Sequence, residues 1–348
     1  MRNYKDHLIR TGTSIKKALE VLDILGKDAI AFVVDESDVL LGSLTDGDVR
    51  RALIKEVSLD KPVDDIIQAN PRFILKSNYN LEKIIEYREN NFQVIPVLDE
   101  ERRVLNVLNF DILQSYLPVD VVIMAGGKGT RLRPLTKSTP KPLLKVGEKP
   151  ILEHNIQRLS LFGMDDIWIT VNYLGEQIEN YFGNGSAKSL NIEYVWEDDP
   201  LGTAGALSKI DNFRHDYVLL TNSDILTNLD YEDFFLQFKK ENADLAIVTI
   251  PYKVNIPYAV LETNNGHVLN FKEKPTYTYY SNGGIYLMKR DVLDYIPANS
   301  FYNTTDLMEK LISEGLKVFS YPMSGYWLDV GKPEDYKKAQ KDIKTIKF

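Results

Sequence analysis

Apolar and polar positions along the first third of the chain repeat one succession of elements twice. In "SIKKALEVLDIL", Ile15, Leu19 and Leu22 fall three or four residues apart, the spacing of an amphipathic helix. A continuous apolar strand, Ala29–Val34, follows, then an acidic turn, a second strand, Val39–Leu44, and a helix opened by "TDGD". The segment "NLEKIIEYRENNFQVIPVLDEERRVLNVLNFDILQSYL" runs through helix, strand Gln93–Leu98, acidic turn, strand Val104–Leu108 and a closing helix in the same order. Such recurrence predicts a single α+β supersecondary unit, duplicated over residues 1–117.

Pro118 stops that pattern, and Val119–Met124 reads as a strand buried on both faces. Downstream, the apolar runs "DIWITV", "IEYVWE", "YVLLTN" and "DLAIVTI" alternate with helical stretches such as "PILEHNIQRLSLFG". The alternation predicts a second domain, residues 118–348, built as an α/β doubly wound, mostly parallel, Rossmann-like sheet. "YAVLETNNGHVLNFKEK" breaks the rhythm: two strands flank Asn265–Gly266, the signal of a β-hairpin beside the main sheet.

Charge and composition narrow the function classes. The formal net charge of −8 is shared equally by the two halves, so neither offers the basic face that nucleic-acid binding requires. No stretch approaches the apolar length of a membrane span or a signal peptide, and a cytoplasmic protein is expected. The lack of cysteine excludes disulfides, thiol nucleophiles and thiolate metal sites, and the four scattered histidines give no zinc-ligand spacing. Any metal is expected on carboxylates, which points to Mg²⁺.

The densest chemistry lies in "VVIMAGGKGTRLRPLTKSTPKPLL", Val121–Leu144. Its glycines leave the end of the second domain's first strand, where open α/β sheets bind ligands. Gly126, Gly127 and Gly129, between Ala125 and Thr130, let backbone N–H groups approach an anion closely. A Walker A loop is ruled out because Gly-Lys-Ser/Thr is absent, and a dinucleotide fingerprint because Leu132 stands where a third glycine belongs. Arg131 beside the loop, and Lys141 ten residues on between Pro140 and Pro142, suit an extended polyanion such as a triphosphate better than one carboxylate.

These motifs resemble the sugar-1-phosphate nucleotidyltransferases, also called nucleotide-sugar pyrophosphorylases. Gly-Gly-x-Gly-Thr-Arg-Leu-x-Pro-Leu-Thr followed by Pro-Lys-Pro-Leu is that family's signature, and further landmarks follow in order: "EDDPLGTAGAL", "LLTNSD", "FKEKP", "SNGGIY" and "WLDVGKPEDY". The resemblance implies attack by a sugar-1-phosphate oxygen on the α-phosphate of a nucleoside triphosphate, with pyrophosphate leaving. It assigns Arg131 to the triphosphate and Lys141 to the reacting phosphates. It further assigns Leu201, Gly202 and Thr203 to the base and sugar, and Asp224 with Asp329 to Mg²⁺. Glu273, Lys274, Asn282 and Gly283 are assigned to the sugar phosphate and sugar, and Tyr277, Tyr279 and Tyr280 lie near enough in sequence to stack on a sugar ring. Ser223 departs from the glycine the family more often has before the metal aspartate, which puts the local backbone in question.

The duplicated N-terminal unit resembles a tandem pair of CBS domains, modules that commonly bind adenosine nucleotides. A Thr-x-x-Asp element holds the nucleotide in that family; the first copy has it as Thr45–Asp48, and the second has Asp111 but Leu108 in place of the threonine. One adenosine-nucleotide site is therefore expected, at Thr45 and Asp48, with helix capping by the same two residues as the alternative. CBS pairs associate, so a homo-oligomer is expected.

"GTRLRPLT" with "PLGTAGAL" is most similar to the mannose-1-phosphate guanylyltransferase-like branch, and a CBS pair in front resembles bacterial enzymes that make a GDP-hexosamine. That implies GTP and glucosamine-1-phosphate as substrates. Mannose-1-phosphate or heptose-1-phosphate, another base, or a non-catalytic nucleotide sensor are the alternatives.

Overall fold

Strand β1 (Leu8–Arg10) runs parallel to β2 (Ile30–Val34), which pairs antiparallel with β3 (Leu40–Thr45). Strands β4 (Ile74–Leu75), β5 (Val94–Leu98) and β6 (Val104–Asn109) repeat that arrangement in a second sheet. The computed structural model describes residues 3–346 and divides into two units. The first takes in the chain up to Pro118 with Leu159–Asp166 and Phe182–Ile192, and the second takes in the rest.

The duplication extends to the irregularities. The register shifts after Val33 in one copy and after Val97 in the other, and Asp38 and Arg102 adopt positive φ (65° and 63°) in equivalent turns. Those turns bind each other reciprocally: Leu40 N–H donates to Arg102 O and Val104 N–H to Asp38 O, both at 3.0 Å. Phe32, Val34 and Leu40 pack on Val94, Leu98 and Val104 to form the core the copies share. Helix α1 (Ile15–Leu25) buries Ile15, Ala18, Leu22 and Leu25, the face its spacing foretold.

The copies part company at their ends. Helix α2 (Asp46–Ile54) starts from a capping box in which Thr45 and Asp48 satisfy each other's backbone N–H groups. Helix α3 (Leu81–Glu89) opens the second copy, but the expected closing helix after β6 does not form. Leu108 has no hydroxyl to cap it, and Asn109 instead closes a turn, its side chain accepting Asp111 N–H (2.9 Å) and its carbonyl accepting Ile112 and Leu113 N–H (3.0 and 2.8 Å).

The second unit is built on a seven-stranded sheet with β7 (Val119–Met124) near its centre. Asp166–Val171 and Tyr217–Asn222 flank β7, both parallel to it. The chain thus visits one side of β7 and then crosses to the other, which places the topological switch point between β7 and Tyr217–Asn222. The sheet is mixed beyond that point: the long strand Thr276–Lys289 runs antiparallel to both its neighbours, and Leu245–Asn255 pairs parallel with Val318–Pro322. Val122, Trp168, Leu220, Leu245, Ile247 and Met288 form the core with Leu307 and Leu311. The hairpin forms as expected, Val260–Asn264 against His267–Lys272, with positive φ at Asn265 (47°) and Gly266 (82°) in its turn.

Candidate active site

At the switch point a cavity of about 620 Å³ opens beyond the ends of β7 and Tyr217–Asn222. Its walls include the whole glycine loop from Ala125 to Thr130, with Arg131, Lys141, Gly202, Thr203, Asp224 and Gly331. Of the cations in the stretch, Lys128, Arg131 and Lys141 line it.

The loop is shaped by close approach. Gly129 is in the left-handed region (φ 56°), and a Cβ there would lie 3.0 Å from Thr136 Cγ2 and 3.1 Å from Lys141 Cβ. Thr136 Oγ1 donates to the Gly129 carbonyl at 2.8 Å, tying loop to lysine segment. Gly126 meets Glu197: a Cβ would stand 3.1 Å from Glu197 Oε1. Glu197 is buried and its Oε2 accepts the Leu201 N–H at 2.9 Å, so Leu201 shapes the wall from behind while Gly202 and Thr203 face the cavity. Glu197, Asn172 and Phe301 are lining residues that the motif reading passed over; the acidic run "EDD" before Pro200 was the signal for the first.

Strand pairing brings together two aspartates more than a hundred residues apart. Ile225–Thr227 pairs antiparallel with Trp327–Asp329, Ile225 opposite Asp329, and Val330 N–H donates to Asp224 O at 3.0 Å. Lys141 Nζ forms an ion pair with Asp224 Oδ2 and lies 3.9 Å from Asp329 Oδ1. Asp329 Oδ1 is buried and accepts no hydrogen bond among the described residues. Burial first, and then the neighbouring Asp224 carboxylate, push the Asp329 carboxyl above its usual range, against the pull of Lys141 and Arg131. Two carboxylates held together, one with an orphaned oxygen, have the hard oxygen donors with which a divalent cation could be held. Ser223 fits without strain: it is buried, lies outside the positive-φ region, and its backbone is held by Met124 O (3.2 Å) and the Asn155 side chain (3.0 Å).

The sugar-side residues are placed differently. Asn282 Nδ2 donates to the Tyr286 hydroxyl (2.7 Å), which is also bonded to Thr304 Oγ1 (3.0 Å). Thr304 N–H in turn donates to Thr203 Oγ1 at 2.9 Å, so Asn282 acts on the cavity wall through Tyr286 and Thr304. Gly283 accepts the Trp327 indole N–H at 2.9 Å. Glu273 and Lys274 are exposed, and neither they nor Asn282 and Gly283 are among the residues lining the cavity. Tyr279 and Tyr280 are exposed as well.

In the first unit, Thr45 and Asp48 come together as the capping box, and Asp48 is saturated. Its Oδ2 accepts from Thr45 N–H (2.8 Å) and Thr45 Oγ1 (2.6 Å), and its Oδ1 from Arg51 (2.5 Å) and Gln68 (2.8 Å). Burial works to raise its pKa, and the hydrogen bonds from Thr45, Gln68 and Arg51 outweigh it, holding the carboxyl below the usual carboxylate range.

The family model "Nucleotidyl transferase" matches residues 120–346, and "CBS domain" matches residues 7–55. The chain belongs to the nucleotidyl transferase family. Among its curated relatives, a UTP–glucose-1-phosphate uridylyltransferase of Synechocystis sp. is 34% identical over 252 residues. A mannose-1-phosphate guanylyltransferase of Mycobacterium tuberculosis is 34% identical over 233 residues, and a D-glycero-alpha-D-manno-heptose 1-phosphate guanylyltransferase of Aneurinibacillus thermoaerophilus 32% over 230. Each match covers 65% of this chain; it spans 65%, 64% and 98% of the respective relatives. The solved structure of HddC from Yersinia pseudotuberculosis is similar with a TM-score of 0.51 at 26% identity, covering 64% of this chain and 99% of that one. The CBS match covers the first copy; the second copy repeats its order of parallel and antiparallel strand pairing. No helix among the described residues is long and apolar enough to cross a membrane.

Proposed function

We propose that this chain transfers a nucleoside monophosphate from a nucleoside triphosphate to the phosphate of a sugar-1-phosphate, releasing pyrophosphate. The observation that carries the reading is the convergence of Arg131, Lys141, Asp224 and Asp329 beside a glycine loop in one cavity at the switch point. Reactants that are both anions need positioning and charge neutralisation more than covalent help. The loop N–H groups and Arg131 take the β- and γ-phosphates, whose charge grows as pyrophosphate departs. Lys141, clamped by Asp224 and confined between Pro140 and Pro142, offers its ammonium to the reacting phosphates. Asp224 and Asp329 hold Mg²⁺, which when bound offsets the repulsion between the α-phosphate and the attacking phosphate. Glu273 and Lys274 serve the sugar phosphate end. A pure nucleotide sensor has no need of both the cation pair and the carboxylate pair.

GTP with glucosamine-1-phosphate is the preferred substrate pair, supported by the guanylyltransferase relatives, by the structure of HddC in complex with GMP-PN, and by the CBS unit in front. Mannose-1-phosphate or a heptose-1-phosphate is the second reading, favoured by what those relatives act on. Pyrophosphate release with Mg²⁺, measured for each common nucleoside triphosphate against a panel of sugar-1-phosphates, tests both. Turnover with UTP or dTTP alone refutes the guanylyl assignment, and no turnover with any pair refutes the activity.

A further inference from the structure

The cations of the cavity, Lys128, Arg131 and Lys141, leave part of its wall to Asn172, Glu197, Pro200, Gly202 and Phe301. This part is continuous. Asn172 Nδ2 donates to the Glu197 carbonyl, Leu201 N–H to Glu197 Oε2 (2.9 Å), and Tyr302 N–H to the Leu201 carbonyl (2.9 Å). Glu197 is 8% exposed and forms no ion pair among the described residues, and of its two carboxylate oxygens only Oε2 accepts a hydrogen bond. Oε1 lies against Gly126, the first glycine of the loop, 3.1 Å from where a Cβ would stand. A carboxylate buried without a cation is costly until donors reach it. Its charge also repels a phosphate from this end, which leaves it to an uncharged part of the reactants.

Phe301 adds a second feature. Its ring is 65% exposed although the backbone on both sides is fixed. Asn299 N–H donates to Ser208 Oγ (3.1 Å), and the Tyr302 carbonyl accepts from Ala204 and Gly205 N–H (2.9 and 3.0 Å). An aromatic ring open to a polar cavity on a rigid backbone offers a flat apolar face with little conformational entropy left to lose. An acceptor edge combined with an aromatic face suits a planar heterocycle better than a puckered sugar.

Hydrogen-bond chemistry then selects among the bases. A carboxylate only accepts, and each oxygen has two lone-pair sites, so Oε2 can keep Leu201 and still take a ligand donor. Guanine presents two donors side by side, N1–H and N2–H. Uracil and thymine present one, N3–H, between two carbonyl oxygens, and adenine and cytosine set an amino donor beside a ring nitrogen that accepts. Each of these four turns an acceptor on the second carboxylate oxygen, and buried acceptors left facing each other are unfavourable. We propose that Glu197 and Phe301 form a guanine site, the carboxylate accepting from N1–H and N2–H while the ring stacks on the base. The proposal rests on the nucleotidyltransferase reading for the presence of a nucleotide in this cavity.

Isothermal titration calorimetry with GDP and with UDP, in the presence of Mg²⁺, tests the site without turnover. Wild type is expected to bind GDP more tightly. Glu197→Gln is expected to cut that preference about 10²-fold, since an amide accepts from N3–H while donating to a neighbouring base carbonyl. The variant keeps an acceptor for Leu201 N–H, and thermal unfolding checks its fold. At the exposed Phe301, replacement by Ala is expected to weaken GDP about tenfold and replacement by Tyr to restore it. In steady-state assays these losses are expected in KM for GTP more than in kcat or in KM for the sugar-1-phosphate. A wild type that prefers UDP, or a preference that folded Glu197→Gln leaves unchanged, overturns the proposal. So does a Phe301→Ala defect confined to KM for the sugar-1-phosphate. GDP-selective binding without turnover of any sugar-1-phosphate refutes the activity and upholds the guanine site, whereas a wild type that binds neither nucleotide overturns both.

Discussion

Asp224→Asn tests the centre of the site because it removes one charge and almost no volume. In the folded chain Asp224 forms an ion pair with Lys141 and lies beside Asp329, whose orphaned oxygen completes the proposed cation site. The fold should tolerate the change. Lys141 keeps Asp329 at 3.9 Å, an attraction of about 4 kcal/mol at an effective dielectric of 20. Because the Asp329 side chain is 41% exposed, solvent screening reduces this to on the order of 1 kcal/mol, and a similar figure bounds the stability lost with Asp224. Turnover should suffer far more. Loss of one preorganised electrostatic stabiliser costs on the order of 3–4 kcal/mol in the transition state, or about 10²–10³-fold in kcat at about 1.4 kcal/mol per decade. Pyrophosphate release at saturating Mg²⁺ and triphosphate measures the loss, and thermal unfolding measures the fold. Activity within threefold of wild type with an unchanged Tm would refute the reasoning, because the cation would then be held elsewhere.

Four further outcomes follow from the geometry. Asp48→Ala is expected to destabilise the first unit by about 1–2 kcal/mol in urea unfolding, since it breaks the capping box and removes the acceptor of the half-buried Thr45 donors. Because the folded pKa of Asp48 is depressed, its contribution is fully present above the unfolded value of about 3.9 and is lost as pH falls through the folded pKa. The stability gap between wild type and Asp48→Ala should therefore narrow below about pH 4, and a constant gap would contradict the assigned bonds. A nucleotide binding there must displace Arg51 and Gln68 from Oδ1, so Gln68→Ala is expected to strengthen any thermal shift caused by adenosine nucleotides, read by differential scanning fluorimetry. Gly202→Ala, at φ 78° with a Cβ 2.6 Å from the Tyr302 carbonyl, is expected to cost about 2 kcal/mol and to raise KM for the triphosphate in steady-state assays.

The glycine loop was legible because its chemistry is local. Gly126, Gly127 and Gly129 follow a buried strand, and their need for close approach and positive φ is written in the residue type. The duplication was legible for the same reason, since strand and helix spacing recurs within each copy. The closing helix of the second copy was misjudged because an apolar pattern does not reveal that Leu108 removes the cap and that Asn109 closes a turn instead.

What sequence alone determined, then, is what short-range spacing encodes: two repeated modules, an α/β sheet that follows them in the chain, and the glycine loop with Arg131 and Lys141. Tertiary structure decided which distant residues meet. The antiparallel pairing of Ile225–Thr227 with Trp327–Asp329 sets Asp224 beside Asp329, and the folding of "EDDPLG" buries Glu197 behind Gly126. It also decided that Glu273 and Lys274, adjacent in motif order to the other site residues, stand exposed between the ribbon and the hairpin and are not among the residues lining the cavity. Strand pairing is a non-local choice, fixed by the burial of whole faces, and no window of sequence around any one of these residues contains it.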